Sequence, residues 1–291
     1  MNKCKFSLCA AGLCCLLTFA APAVQAETAS QPSFGSAPQL LAAAPVKQVE
    51  VGSAAELLNA VGSNTEIILK PGTYNFSQYL KSEAPKSLDW NAAHPNIMWE
   101  SGELTIVNVS GLTLRAKDGD NGKTRLVTED AYNNVIRFKQ CGNVTLVGMT
   151  MGHEVEPGVC SGSVAAFENC ENLYLKNMDL YGCGAYGISG YGIKGLTAVS
   201  CRIHDCSYGM LEINRSSGLR FSNCEFTRCK QYTLLSLSSA DALFKECRFT
   251  GNKGDFYNKD GSANITFEKC EFGLDEQQFI ADHPQGVKVI K

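Results

Sequence analysis

Acidic, basic and imidazole side chains recur at one turn of a repeating pattern. His153 and Glu154 fall in an irregular loop, and the corresponding turns of later repeats carry His204 and then Arg228. Histidine and glutamate can transfer protons near neutral pH, and an arginine can stabilise negative charge that develops in a transition state. The candidate catalytic residues for acid/base chemistry are therefore His153, Glu154, His204 and Arg228. The alternative is that these side chains are solvated surface groups, as most exposed charged residues are.

A second candidate set has the spacing of one column on a strand face. Glu168, Tyr191 and Asn214 follow one another at intervals of 23 residues, and Glu212 falls in the adjacent column. Two repeats separate Glu168 from Glu212, which predicts a carboxylate separation on the order of 9–10 Å or more. That distance is at or beyond the wide end of the range for inverting glycoside hydrolysis. The candidate substrate-binding residues of this set are Glu168, Tyr191, Glu212 and Asn214.

Two tryptophans complete the candidate substrate-binding set. Trp90 and Trp99 lie between Gln78 and Gly102, where the repeat is lost. Their rings could overhang a groove and offer flat apolar faces to sugars, or they could pack as a lid on the first repeats.

A 23-residue repeat predicts the elements that position these side chains. Apolar residues or cysteine occupy the first, third, sixth and eighth places of each copy. Alternation at two residues followed by a step of three predicts short strands joined by bends, and leaves no room for helices. Strands stacked about 4.8 Å apart in this way form a right-handed parallel β-helix, an all-β solenoid. The copies begin at Val144, Leu173, Leu196, Leu219, Ala242 and Ile265, with 29 residues in the first interval.

The chain divides into three predicted segments. Residues 1–26 have a positive start, an apolar stretch and an A-x-A-like end at Val24-Gln25-Ala26, which predicts a secretory signal peptide. Residues 27–47 are rich in Ala, Pro, Ser and Gln and predict a flexible leader. Residues 48–291 form the β-helix domain, with a short helix over Ser53–Val61 as the N-terminal cap. We expect a periplasmic or secreted protein that is monomeric and, after signal removal, not bound to a membrane.

Cysteine positions follow the repeat. Of the 14 cysteines, four precede residue 27 and ten remain. An even number in an exported protein suggests disulfides, whereas cysteines stacked at one repeat position suggest buried free thiols. We favour free thiols, and expect no metal site because no CxxC pair is present. The stacked columns are Cys141 and Cys170; Cys183, Cys206 and Cys229; and Cys201, Cys224, Cys247 and Cys270.

Charge excludes one class of partner and identifies one structural feature. The formal net charge of −3 argues against nucleic acid as a partner.

One column of charged residues alternates in sign along the stack, so we expect its members to stabilise the solenoid rather than to act in catalysis. That column is Asp179, Arg202, Glu225, Arg248 and Glu271.

The chain resembles secreted bacterial right-handed parallel β-helix proteins of the pectate-lyase-like superfamily, across roughly residues 48–275. The resemblance is carried by the 23-residue coils, by the stacked turns at Asn143 and Asn172, and by the entry Pro71-Gly72-Thr73-Tyr74. It implies a polysaccharide ligand, and Ca²⁺ as the cofactor that acidic residues often hold in such lyases. The catalytic motifs of polygalacturonases and alginate epimerases are missing, since Gly192-Ile193-Lys194-Gly195 lacks the arginine of R-I-K.

Two functions follow from these observations. In the first, the protein is a polysaccharide lyase or glycoside hydrolase acting on a cell-envelope or other glycan. In the second, it is a non-catalytic β-helix that binds a glycan or a protein through its outer face. Because fold alone does not establish activity, the sequence leaves both open.

Overall fold

The computed structural model describes residues 47–82, 88–100, 102–119, 122–156, 160–182, 184–230, 233–260 and 262–291. The predicted signal peptide (1–26) and all of the predicted leader except Lys47 lie outside these ranges. Lys47 is the first residue of a strand, so the folded domain begins one residue before the predicted boundary.

Short strands dominate the described residues. The helices are α1 Ala54–Ala60, α2 Phe76–Lys81, α3 Leu88–Ala93 and α4 Leu274–Asp282. The strands up to the irregular loop are β1 Lys47–Val51, β2 Thr65–Leu69, β3 Gly72–Asn75, β4 Ile97–Glu100, β5 Glu103–Val107, β6 Leu112–Ala116, β7 Thr124–Thr128, β8 Ile136–Lys139, β9 Thr145–Val147 and β10 Thr150–His153. The strands after it are β11 Ala165–Glu168, β12 Glu171–Lys176, β13 Asp179–Tyr181, β14 Tyr186–Tyr191, β15 Lys194–Val199, β16 Arg202–His204, β17 Gly209–Ser222, β18 Glu225–Thr227, β19 Thr233–Lys245, β20 Arg248–Thr250, β21 Asp255–Lys259, β22 Ile265–Glu268, β23 Glu271–Phe272 and β24 Val287–Ile290.

The strands stack into the three faces of a parallel β-helix. In one coil β8, β9 and β10 lie on the first, second and third face, and β11, β12 and β13 repeat that order one coil later. Strands β17 and β19 run from the first face to the second without a break, which joins these two faces into one sheet. The register pairs Leu173, Leu196, Leu219, Ala242 and Ile265, and so confirms the 23-residue repeat.

Single left-handed residues make the corners. After the first-face strands the backbone has positive φ at Asn169 (52°) and Gly192 (67°). Asparagine and glycine tolerate this conformation best, because other side chains crowd the following carbonyl oxygen. The predicted asparagine turn is present, since Asn172 Nδ2 donates to Asn143 Oδ1 at 3.2 Å. At these corners a single residue redirects the chain from the first face to the second.

Aromatic stacks fill the core of the later coils. Phe244 lies between Phe221 and Phe267, with ring centroids at 4.9 and 5.3 Å. Phe226 and Phe249 stack at 4.8 Å and meet the first column edge-on. Stacked and edge-to-face pairs add to the stabilisation from apolar burial, so these rings form a continuous apolar interior.

Most of the described cysteines are thiols that pack along this core. The free cysteines are Cys141, Cys170, Cys201, Cys206, Cys224, Cys229, Cys247 and Cys270. Contact with the Cys224 thiol and burial both raise the pKa of Cys201, so its thiol stays protonated. Cys160, which stands outside the columns, is disulfide-bonded. Cys183 lies outside the described residues.

Both ends of the solenoid are covered. At the N-terminus Ser53 Oγ accepts from the backbone N–H of Glu56 at 3.2 Å, which confirms the predicted capping helix as α1. The entry tyrosine Tyr74 is buried and donates to the carbonyl of Val51 at 2.8 Å. At the C-terminus α4 precedes β24, which adds a final strand beside β22. The N-terminal helix thus covers the apolar interior of the first coil, and β24 adds one more strand at the other end.

The alternating charge column is an ion-pair ladder on the third face. Strand register places Asp179, Arg202, Glu225, Arg248 and Glu271 one above another. Glu225 lies 3.5 Å from Arg202 and 3.6 Å from Arg248, and Arg248 lies 3.4 Å from Glu271. The pairs are partly exposed, so each contributes only about 0.2–1 kcal/mol.

In the part of the chain that the structure describes, no helix has the length and apolar character needed to cross a membrane.

Candidate functional site

The first face carries the predicted polar columns. Register pairs Glu168 with Tyr191 and Tyr191 with Asn214, and pairs Ser189 with Glu212. Alternation along each strand turns these side chains outward, because the residues between them point into the core. The structure therefore brings together four of the predicted substrate-binding residues.

These residues line a cleft of about 550 Å³ on the first face. Small side chains at Ala166 and Ser189 leave space between the longer ones, and Gly162 and Ser163 form part of the wall. Neutral hydrogen-bonding groups alternate with a few charged ones along the cleft. The cleft is therefore mostly polar, with two tyrosine rings among its lining residues.

Glu212 is the titratable group of the cleft that has no fixed partner. Its side chain is half-buried, and burial raises its pKa above the usual range for glutamate. Among the described residues no hydrogen bond or ion pair holds its carboxylate. A carboxyl group with a raised pKa keeps its proton closer to neutral pH, and can then donate that proton to a ligand.

The other charged groups of the cleft are paired. Arg137 Nε lies 2.9 Å from Glu103 Oε1, which also accepts from Asn134 Nδ2 at 2.5 Å. Glu168 Oε1 lies 3.1 Å from Lys139 Nζ. These contacts fix the side chains in place and leave Glu212 as the uncompensated carboxylate of the cleft.

Two tyrosines expose their rings at the cleft. Tyr132 is 77% exposed and sits on a turn in which Asp130 Oδ1 accepts from its backbone N–H at 2.7 Å. Tyr191 is 43% exposed, and Arg215 donates to its hydroxyl at 2.8 Å while covering its ring at 5.5 Å. Large exposed rings at the margin of a cleft are suited to stacking on the apolar faces of a ligand.

The predicted catalytic edge on the third face contains a closed network around His204. Its Nε2 lies 2.9 Å from Asp179 Oδ1, and its Nδ1 lies 2.6 Å from Asp205 Oδ2. Arg228 binds both oxygens of Asp205, at 2.9 and 2.6 Å. Burial opposes protonation of His204, but the two carboxylates outweigh it and raise its pKa. Arg228 and His204 outweigh burial at Asp205 and lower its pKa.

Glu154 belongs to a second network on the same edge. Its carboxylate accepts from Arg125 Nη2 at 2.5 Å and from the hydroxyl of Tyr181. Tyr181 reaches this position by lying across Gly152, where a Cβ would come within 2.5 Å of the ring. The Tyr181 ring also stacks on the imidazole of His204, with 6.1 Å between the ring centroids. The edge thus brings Glu154, His204 and Arg228 into one chain of contacts, in which each is engaged with protein partners.

The structure does not place His153 at this edge. Its side chain is 3% exposed and points inward, with Nε2 2.9 Å from the carbonyl oxygen of Asn133. Burial lowers its pKa, so the imidazole is neutral. His153 therefore packs inside the coil, and its assignment as a surface acid/base group requires correction.

The two tryptophans are also packed rather than presented to a groove. Trp90 is 5% exposed, stacks on His94 at 4.1 Å and donates from Nε1 to the hydroxyl of Tyr79 at 2.9 Å. Trp99 lies 6.0 Å from Trp90 and packs against the core. The excursion thus covers the first coils, as the lid alternative proposed, and does not supply sugar-binding rings.

Comparison with known proteins identifies the family. A family model described as a right-handed beta helix region matches residues 103–273, more than half of the chain. The chain belongs to the right-handed β-helix family. No curated protein sequence matches this β-helix protein.

Solved β-helix structures share the fold at low sequence identity. Pectate lyase Pel9A superposes with a TM-score of 0.53 at 11% identity, over 79% of this chain and 64% of that one. A pectin methylesterase in complex with a hexasaccharide superposes with a TM-score of 0.48 at 11% identity, over 73% of this chain and 71% of that one. Pectin methylesterase PemA from Erwinia chrysanthemi superposes with a TM-score of 0.43 at 11% identity, over 77% of this chain and 78% of that one. The β-helix protein spans 64% of the length of Pel9A, and the likeness shows the fold.

Calcium, which the fold family implies, finds no matching set of ligands here. Within the described ranges, no three His, Cys, Asp or Glu side chains gather where they could hold a metal ion. Calcium needs six to eight oxygen ligands, usually including several carboxylates. The described carboxylates therefore form no cluster that would fit Ca²⁺.

Glu212→Gln is expected to raise Tm at pH 8 by roughly 1–2 °C. Because burial raises the pKa of Glu212, the folded state binds its proton more tightly than the unfolded state does. Ionisation therefore destabilises the fold, and that loss develops as pH rises from the unfolded pKa of about 4.3 through the folded one. At pH 4 the difference in Tm disappears. Thermal melts at both pH values measure it, and Glu225→Gln, which removes a paired carboxylate, gives no rise. A lower Tm for Glu212→Gln at pH 8 contradicts the prediction.

Proposed function

We propose that this protein binds a polysaccharide chain in the first-face cleft. The observation that carries the proposal is the pair of exposed rings, Tyr132 and Tyr191, beside a cleft lined by neutral hydrogen-bonding side chains. Sugar rings have apolar faces that stack on aromatic rings and hydroxyl edges that need hydrogen-bond partners. The serines and asparagines that line the cleft are Ser161, Ser163, Ser189, Asn134 and Asn214.

The stacking direction of the coils also suits an extended ligand. The column that contains Glu212 continues through Ser236 and Asn258, so small polar side chains follow it along the face. Strands about 4.8 Å apart present such groups at regular intervals to a chain that lies across them. Pel9A, which has a similar fold, is a pectate lyase, and this supports a glycan as the ligand.

Cleavage of the bound chain is the second candidate function, and Glu212 is the observation that favours it. A half-buried glutamic acid without a fixed partner can protonate the leaving oxygen of a glycosidic bond. Glu168 lies two strands away and two residues along the face from Glu212, about 12 Å between backbone positions, which is beyond the usual separation of an inverting pair. Lys139 Nζ lies 3.1 Å from Glu168 Oε1 and holds that side chain in place. Glu212 is the candidate general acid.

We further infer that the protein acts outside the cytoplasm. The signal-like features of residues 1–26 support export, and the disulfide at Cys160 supports an oxidising compartment.

Substitution of the two tyrosines tests the binding proposal. Tyr132→Ala and Tyr191→Ala are each expected to weaken glycan binding about tenfold, equivalent to about 1.4 kcal/mol. Calorimetric titration of the purified protein with oligosaccharides measures the change. Tyr174→Ala is the matched control, because Tyr174 is a partly buried outward tyrosine on the second face. Unchanged affinity in both cleft variants would remove the cleft as the binding site.

Product analysis separates binding from cleavage. The purified protein is incubated with uronic-acid and neutral glycans, and both reducing ends and the absorbance of unsaturated products are followed. Cleavage by the wild type that is lost in Glu212→Gln, with binding retained, identifies Glu212 as the acid. Binding without product in any reaction identifies a binding protein. Neither binding nor product with any of these glycans would overturn the proposal.

A further inference from the structure

We propose that Tyr186 and Tyr208 form a further aromatic subsite of the cleft, which holds the sugar unit that lies beside Glu212. The inference rests on the proposed function, since this subsite takes part of the same polysaccharide chain. Both tyrosines are partly exposed, and both lie outside the set of residues that line the 550 Å³ cleft.

Strand pairing places Tyr186 at the margin of the cleft. The backbone N–H of Val164 donates to the Tyr186 carbonyl at 2.9 Å, so Tyr186 lies one coil beyond Ser163, which lines the cleft. On its other side Tyr186 pairs with Gly209, which precedes Glu212 on the same strand. Tyr186 therefore continues the wall of the cleft toward the coil that carries Glu212.

The Tyr186 ring reaches that next coil. It lies against Gly209, where a Cβ would come within 3.0 Å of the ring edge. The centroid of the Tyr186 ring is 6.4 Å from that of Tyr208, and the two ring planes meet at 76°. Burial raises the pKa of Tyr186, and the nearby carboxylate of Glu212 raises it further. The two rings and Glu212 thus lie together at one end of the cleft.

A pair of rings at a steep angle suits one sugar unit. One ring face can stack on the apolar face of the sugar while the other ring borders it. The carboxyl group of Glu212 beside the rings can form a hydrogen bond with a sugar hydroxyl or with the oxygen that joins two units. The subsite therefore sets which unit of the chain lies next to Glu212.

The subsite also follows the direction in which the chain runs along the stack. The backbone N–H of Val135, which follows the turn of Tyr132, donates to the Ser163 carbonyl at 3.1 Å. Tyr132 and Tyr186 consequently lie on the same margin of the first face, two coils apart, which is about 10 Å along the stack. A chain on this margin meets Tyr132 first and then the pair Tyr186 and Tyr208.

Removal of each ring tests the subsite. Short and long oligosaccharides of galacturonan, mannan and β-glucan are titrated calorimetrically into the purified protein, and those that bind are used with the variants. Tyr186→Ala and Tyr208→Ala are each expected to weaken binding about fivefold, whereas Tyr186→Phe keeps the ring and stays within about twofold of wild type. Tyr174→Ala on the second face is the control and leaves affinity unchanged. Thermal melts establish that each variant is folded, and Tyr208→Ala carries the test if Tyr186→Ala is not.

Double variants separate one shared subsite from two independent contacts. Residues that hold the same sugar are non-additive, so Tyr186→Ala with Tyr208→Ala is expected to bind only slightly more weakly than either single variant. Tyr186→Ala with Tyr132→Ala is expected to show the sum of the two losses, because those rings contact different sugar units.

The outcomes distinguish this inference from the function on which it rests. Unchanged affinity in Tyr186→Ala and in Tyr208→Ala, with weaker binding in Tyr132→Ala, overturns the subsite and leaves the polysaccharide site in place. A loss in Tyr186→Phe as large as that in Tyr186→Ala also overturns it, because the ring itself then makes no contribution. Failure of every oligosaccharide to bind the wild type overturns the proposed function, and the subsite with it.

Discussion

Phe244→Ala is expected to lower the free energy of unfolding by about 4 kcal/mol, because it removes a fully buried ring and leaves a cavity. Phe244 is 0% exposed and contacts Phe221 and Phe267 by stacking, and Phe226 and Phe249 edge-on. The neighbouring rings are held by strands on fixed spacing, so they cannot close the space. For a domain of this size the loss corresponds to about 10 °C in Tm, measured by thermal denaturation followed by circular dichroism.

Two variants calibrate this result. Phe244→Leu retains most of the apolar volume and is expected to cost about 1–2 kcal/mol. Tyr174→Ala removes a ring from the outer surface and costs less than Phe244→Ala, since less of that ring is buried. A loss in Phe244→Ala no greater than that in Tyr174→Ala would show that the stack does not hold the coils together.

The repeat made much of the fold predictable without coordinates. In a parallel solenoid, residues one period apart are strand neighbours, so a 23-residue spacing in the sequence is also a map of contacts. This is why Glu168, Tyr191 and Asn214 were assigned to one column, and why the structure confirms it. The same logic identified the ion-pair ladder of the third face as structural.

The irregular coil was harder to predict, and His153 shows why. Met151 points into the core, and strand β10 continues to His153, which therefore points inward as well. The sequence gives no sign that the strand extends past Gly152, because glycine usually marks a turn or bulge. A difference of one residue in the strand end decides whether the imidazole faces solvent or the core.

Several residues of the cleft carried no periodic signal. Tyr132 sits on a turn before the regular coils begin, and Glu103 and Arg137 precede the first clear copy at Val144. The raised pKa of Glu212 depends on burial by neighbours, which spacing alone does not report. Trp90 and Trp99 were predicted as binding residues, yet both pack in the structure. Large aromatic rings outside a repeat belong to the core as often as to a binding surface.

His204→Ala is expected to lower Tm by about 6 °C at pH 6, because it removes the group that separates two carboxylates. Asp179 and Asp205 each lie within hydrogen-bond distance of one imidazole nitrogen, and the His204 side chain is 11% exposed. Without the imidazole, Asp179 loses its partner, while Asp205 keeps only Arg228. The other groups that face His204 are the stacked ring of Tyr181, Arg228 Nη2 at 3.0 Å from Nδ1, and the Arg202 guanidinium, whose charge opposes protonation. Thermal melts of wild type and variant from pH 5 to pH 9 measure the difference.

The difference in Tm should shrink as pH rises, and this separates an ionic role for His204 from simple packing. The two carboxylates raise the folded-state pKa of His204 above its unfolded value of about 6.5. The stabilisation from the imidazolium is therefore fully present below pH 6.5 and is lost as pH rises through the folded pKa. His283→Ala is the control, since His283 is exposed at the end of α4 and its loss gives a small change. A His204→Ala deficit that is the same at pH 6 and pH 9 would mean that the ring acts by volume alone, with Asp179 and Asp205 stabilised by other contacts.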